Sequence, residues 1–277
     1  MSFGWRLGHL VLSRTWLLPS RYADRGPAPR PPPEASIHRL VLWNIDLTLL
    51  DVGRVTRDAY VEAFRTVTGR PLVQLPQLAG RLESGIFFDA LALNGVTVAY
   101  GPASEELLAR FSHELAGAFA ARRDQLTERG RLLPGAAEAV AEVASLHGVV
   151  QSVLTGSLRP NAVLKLRAFG LDRFFDTEVG GYGSQVYPKG AQLLMTRSRA
   201  AEKYGVPFGE DATVYIADST LDVEASRTGG ARCLGVASGR CTVSELRAAG
   251  ADAVFADLTD TAAVVAAVDR LTLAAAG

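Results

Sequence analysis

Little in this chain would fix it to a bilayer, a polyanion or a disulfide framework. Its 277 residues contain no run of about twenty apolar residues, so no helix is expected to span a membrane. Lys+Arg and Asp+Glu balance at 29 each, which removes the basic excess that marks nucleic-acid or anionic-membrane partners. A local anion site is still compatible with that balance, because net charge does not report on one cleft. Two cysteines, Cys233 and Cys241, make neither a metal-type cluster nor a disulfide set. Reduced thiols in a cytoplasm are the expected state. What is present, 48% hydrophobic and 21% charged residues, fits a globular protein with core enough for one large or two modest domains.

Residues 1 to about 36 differ from the rest. Within Met1–Arg30, Arg6, Arg14, Arg21, Arg25 and Arg30 face a single acid, Asp24, and Pro27–Pro33 reads as a flexible or polyproline-type linker. Arg14 interrupts the apolar part, so a signal peptide fits poorly. A disordered extension is expected, with docking of an apolar patch around Trp5, Leu10 and Trp16 as the alternative.

From Arg39 the pattern becomes regular. Arg39–Trp43 is an apolar strand. Thr56–Thr68 has helical spacing in Ala59, Tyr60, Ala63, Phe64 and Val67, stopped by Gly69-Arg70-Pro71. Gly80–Leu93 is a second helix, and Ser104 is the expected N-cap of a third that runs to about Gln125. Beyond Pro134 strands and helices alternate: strands at Val149–Leu154, Ala212–Ala217, Arg232–Val236 and Ala253–Phe255, a short strand or turn at Val179–Gly181, and helices at Arg159–Phe169, Lys189–Tyr204 and Leu221–Thr228. This alternation implies a parallel sheet with right-handed crossovers. Three acids, Asp46, Asp218 and Asp222, follow strand ends, which in an open parallel sheet face one crevice. Oxygen donors there suit Mg²⁺. Asp218 and Asp222 are four residues apart and expected on one side of a helical turn; the plain alternative is that they only cap that helix.

Four segments resemble, in order, the motifs of the haloacid dehalogenase (HAD) superfamily. Val41-Leu42-Trp43-Asn44-Ile45-Asp46-Leu47-Thr48 resembles the first, hydrophobic-run-Asp-x-Asp-Gly-Thr, with Asn44 for the first Asp and Leu47 for the Gly. Leu154-Thr155-Gly156 resembles the second, Lys189 the third, and Ile216-Ala217-Asp218 with Asp222 the fourth, Ala217 standing for a Gly. The resemblance covers residues 39 to about 260. It implies an α/β fold: a Rossmann-like parallel sheet built from residues 37–54 and 129–277, with an inserted all-helical cap at 55–128, as in phosphoglycolate phosphatase and β-phosphoglucomutase relatives. It also implies the site. Asp46 takes the acid–base place, with Thr48, Thr155 and Lys189 in support. Gly156, Ser157 and the cap residue Arg81 meet a small phosphorylated metabolite. Mg²⁺ is held by Asp46, Asp218, Asp222 and the amide oxygen of Asn44.

At Asn44 the family's covalent nucleophile is missing, and an amide is a poor substitute. Two functions are compatible with this. One is a Mg²⁺-dependent phosphomonoesterase-like enzyme with residual or rerouted activity, Asp46 activating water directly. The other is a catalytically silent protein that binds a phosphorylated ligand as a sensor or accessory subunit. Neither needs nucleic acid or membrane, and the sequence names neither the metabolite nor the oligomeric state.

Overall fold

A computed structural model describes residues 38–184 and 188–273. The expected N-terminal extension lies outside them. The chain builds β1 (Arg39–Trp43), β2 (Leu50–Asp51), α1 (Gly53–Thr68), α2 (Glu83–Leu93), α3 (Pro102–Ala121), α4 (Gln125–Arg129) and β3 (Arg131–Leu132). It continues through α5 (Ala136–Ala144), β4 (Val149–Val153), α6 (Arg159–Ala168), α7 (Lys189–Tyr204), β5 (Thr213–Ala217) and α8 (Thr220–Gly229). It ends with β6 (Arg232–Val236), α9 (Val243–Ala248), β7 (Ala253–Phe255) and α10 (Thr261–Leu273).

The main sheet runs β4-β1-β5-β6-β7, every neighbouring pair parallel. Both faces are covered, which is why its strands read as continuous apolar runs rather than alternating ones. The alternation is still visible in where the side chains go. Val41, Trp43, Val214 and Ile216 join a core with α1, α3, α5 and α10. Leu40, Leu42, Tyr215 and Ala217 point the other way, onto Leu193 and Ala200 of α7. Leu40, Val41, Leu42 and Trp43 are all fully buried, each contributing about 1.5–3 kcal/mol.

Helices α1–α4 lie between β2 and β3, a two-strand antiparallel ribbon that the sequence did not suggest. Strands of two residues are too short to show a period. In this block Phe87 stacks on Phe111 with centroids 4.1 Å apart, and Tyr60 packs on Phe111 at 5.5 Å. Three details differ from expectation. α3 starts at Pro102 with Gly101 as its cap, and the Ser104 hydroxyl accepts a hydrogen bond from the Gly101 N–H. α2 starts at Glu83 because Gly80–Leu82 is held in a turn. Val179–Gly181 is not a strand; Gly181 makes an isolated bridge to Leu154.

Candidate functional site

Strand order places β1 between β4 and β5, so the carboxyl ends of these three strands share one crevice. The turn after β1 is tied to β5 by the Asn44 N–H, which donates to Ile216 O at 2.9 Å. It closes through Leu49 N–H to Ile45 O at 2.9 Å and Leu47 N–H to Leu50 O at 2.8 Å. Leu47 has φ +63°, the one non-glycine residue in the left-handed region among those described. That conformation costs an L-residue about 1–2 kcal/mol. The backbone thus has the shape that glycine suits, with leucine in it. Ser238 steadies the turn by donating to Leu47 O at 2.7 Å.

Asn44 is 5% exposed. Its amide nitrogen lies 2.9 Å from Asp46 O, 2.8 Å from Asp218 Oδ1 and 3.2 Å from Thr48 Oγ1. Turned over, the amide oxygen would confront a carbonyl and a carboxylate, so these partners fix its orientation. The Thr48 hydroxyl also donates to Asp218 Oδ1, at 2.8 Å. Burial, with the charge of Asp222 second, raises the Asp218 carboxyl to about 7, against the hydrogen bonds from Thr48 and Asn44 and the charge of Lys189. Asp218 Oδ2 is buried without a partner. It sits under Gly239, where a Cβ would lie 2.1 Å away.

The other two acids face elsewhere. Asp46 is chelated by Lys165 Nζ at 2.7 and 2.9 Å and accepts from Ser157 Oγ at 3.0 Å. Lys165, on α6, is 1% exposed, reaches Ser157 Oγ at 3.0 Å and lies 5.1 Å from the Phe119 ring centre. Asp222 is fully buried. Its Oδ1 takes Lys189 Nζ at 2.5 Å and the Tyr215 hydroxyl at 3.0 Å, and its Oδ2 takes Ser219 Oγ at 2.5 Å. Asp222 is thus taken up by Lys189, Tyr215 and Ser219, while its charge still reaches Asp218. The four-residue rule holds inside a helix, and Asp218 precedes Ser219, the N-cap of α8.

The second turn, after β4, presents Thr155, Gly156 and Ser157. Ser157 N–H donates to Thr155 Oγ1 at 3.2 Å. Gly156 O accepts from Glu83 N–H at 2.9 Å, so the start of α2 rests directly on this turn. Residues Gly80 and Arg81 complete the closure: a Cβ on Gly80 would lie 2.4 Å from Ser219 Oγ, and one on Gly156 would lie 1.9 Å from Arg81 O. The guanidinium of Arg81 is turned onto α2, to Asp89 Oδ2 at 2.6 Å. Between these turns and α2 is a cavity of about 450 Å³, lined among others by Asn44, Asp46, Arg81, Thr155, Lys165, Lys189 and Glu83, with exposed Arg57 and Arg240 at its mouth.

Thus the sequence-expected residues gather around one cavity, but not as one metal set. Asp46 is occupied by Lys165 and Asp222 by Lys189, while the Asn44 amide hydrogens are directed at the oxygens that would otherwise receive a cation. Among the described residues no group of three or more His, Cys, Asp or Glu side chains is arranged to hold a metal. Asp218 Oδ2 is a buried oxygen with no hydrogen-bond partner; with Asp46 beside it, it is the kind of carboxylate oxygen that would hold Mg²⁺ together with water and phosphate. Lys165, Glu83, Tyr215 and Ser219 were not singled out from sequence. Of these, Lys165 had a signal: it falls on the apolar face of α6 with Ala162 and Leu166.

The model of the haloacid dehalogenase-like hydrolase family matches residues 41–227. The chain belongs to this family. No curated protein matches the sequence. Among solved HAD-type structures, a hydrolase from Pseudomonas syringae is 22% identical, with 82% of this chain and 96% of that one covered and a TM-score of 0.58. A predicted phosphoglycolate phosphatase from Haemophilus somnus is 18% identical, with 83% and 98% covered and a TM-score of 0.53. A mutant of CbbY from Rhodobacter sphaeroides, an Asp→Asn substitution crystallised in complex with xylulose bisphosphate, is 19% identical, with 80% and 95% covered and a TM-score of 0.56. At these identities the likeness is one of fold.

Proposed function

We propose that this HAD-type chain binds a small phosphorylated metabolite in the cavity above Asn44 and does not form a covalent phosphoryl intermediate. The observation that carries this is the Asn44 amide, whose nitrogen lies 2.9 Å from Asp46 O and 2.8 Å from Asp218 Oδ1. A carboxamide held by its own N–H groups has neither the charge nor the free lone pairs of a carboxylate nucleophile. Loss of such a group typically costs several orders of magnitude in turnover. The recognition elements remain: the buried ammonium group of Lys189 and the Thr155–Ser157 turn. A cavity of about 450 Å³ is of the size that encloses a metabolite. Helices α1–α4 act as the cap, through the contact of Gly80–Glu83 with the core turns. The CbbY mutant complex supports the reading, since in that protein an Asp→Asn change is compatible with a bound bisphosphate. With the Asn44 N–H groups already on Asp46 O and Asp218 Oδ1, binding here is expected without Mg²⁺. No described helix is long and apolar enough to cross a membrane.

A second reading is favoured by Asp46, whose carboxylate lines the cavity and is held in place by Lys165 and Ser157. In that reading Asp46 accepts a proton from water as the water attacks phosphorus, and no enzyme-bound intermediate forms. Calorimetric titration with inorganic phosphate and a phosphomonoester, with Mg²⁺ and with a chelator, separates the cases. Equal binding in both conditions without product formation is expected. Binding seen only with Mg²⁺ contradicts the proposal, and phosphate release by the wild type moves the assignment to the second reading.

A further inference from the structure

We infer that Glu83 selects the non-phosphate end of the ligand, accepting an uncharged, hydroxyl-bearing chain and rejecting a second anionic group; this rests on the phospho-ligand reading above. Glu83 opens α2, lines the cavity shared with Asn44, Asp46 and Lys165, and is only 5% exposed. Its Oε2 is buried with no hydrogen-bond partner. An orphaned buried oxygen of this kind costs about 1–3 kcal/mol unless something in the cavity satisfies it.

The residue is rigidly placed. Its N–H donates to Gly156 O at 2.9 Å, and the next N–H, of Ser84, donates to Gly183 O at 3.2 Å. The chains approach so closely that a Cβ on Gly183 would lie 1.7 Å from Gly156 O and 2.8 Å from Glu83 N. Glu83 is therefore fixed against the same β4 turn that contributes Thr155 and Ser157.

The cation whose charge acts on Glu83 is Lys165. Lys165 is held by Asp46 and Ser157, and Arg81 by Asp89 at 2.6 Å. Burial lifts the Glu83 carboxyl to about 8; the charge of Lys165 opposes this and that of Asp46 adds to it. At neutral pH the group is a protonated acid with one donor and one acceptor, the complement of an alcohol. A carboxylate or second phosphate placed there would face Glu83 and Asp46 while losing water, with Lys165 and Arg81 already taken.

The test compares binding of inorganic phosphate, glycerol phosphate, phosphoglycolate and a sugar bisphosphate to wild type, Glu83→Gln and Glu83→Leu. Wild type is expected to bind glycerol phosphate about 10–100-fold more tightly than phosphoglycolate, the worth of one or two buried hydrogen bonds. Glu83→Gln, which keeps a donor and an acceptor, should keep most of that preference and leave inorganic phosphate within about twofold, whereas Glu83→Leu, which keeps neither, should erase it. Equal affinity of wild type for glycerol phosphate and phosphoglycolate, or a preference for the bisphosphate, overturns the inference without any variant. An equal fall in phosphate and glycerol phosphate binding in Glu83→Leu also overturns it, since Glu83 would then hold the phosphate itself. If wild type binds none of the four ligands, the phospho-ligand reading fails and the inference with it.

Discussion

Replacing Glu83 by glutamine should change how stability depends on pH. In the folded chain burial raises the Glu83 carboxyl from 4.5 to about 8. The unfolded chain releases that proton near the lower value. Between the two the folded state binds more protons, so stability falls as pH rises through the window from about 4.5 to about 8 and is flat with respect to this group on either side. At about 1.4 kcal/mol per pH unit, the interval corresponds to about 5 kcal/mol as an upper bound. Glutamine keeps the shape and has no proton to lose. Wild type and Glu83→Gln should therefore be similarly stable at pH 4, and at pH 9 the variant should be more stable by about 3–5 kcal/mol. For a domain of this size that is a difference of roughly 6–20 °C in Tm. Urea denaturation at a series of pH values, with both proteins in the same buffers, reads the difference directly. Parallel stability profiles between pH 5 and 9 would refute the buried, unpaired state of this acid.

Further consequences concern the turn after β1 and its neighbours. Leu47→Gly removes the left-handed strain at φ +63° and should leave stability within about 1 kcal/mol of wild type or slightly above it, whereas Leu47→Val should lose at least about 1 kcal/mol, measured by thermal denaturation. Lys165→Met withdraws the chelating ammonium from Asp46, which water can partly reach, and should cost about 1.5–3 kcal/mol, measured by urea denaturation. Asn44→Asp sets a carboxylate where the amide now lies 2.8 Å from Asp218 Oδ1. That variant should be destabilised in chelator and should gain a Mg²⁺-dependent rise in Tm that wild type lacks.

Much of this was readable in the chain itself. The strands ending before Asn44, Thr155 and Asp218 are buried on both faces, so their apolar runs stand out and their ends mark the crevice. The helical spacing of α1 survives intact, with Ala59, Tyr60, Ala63, Phe64 and Val67 all buried. What could not be read was pairing across distance. Lys165 meets Asp46 from 119 residues away, and local pattern shows only a lysine on an apolar helix face. Asp222 appeared to belong with Asp218, but the N-cap at Ser219 breaks the helical register between them and Lys189 claims the second acid. Arg81 was expected to meet the ligand; Asp89, on the following helix α2, holds its guanidinium. Helices α9 and α10 were not read from the sequence, although Thr242 and Glu245 form a capping box at the start of α9 and Asp260 accepts from Ala263 N–H ahead of α10.

The most direct measurement is phosphate release from a phosphomonoester panel by wild type and Asn44→Asp, each with Mg²⁺. If Asn44 disables a covalent phosphatase site, wild type binds phosphate without turnover and the aspartate variant gains at least about a hundredfold in rate. Equal turnover by the two proteins would contradict it.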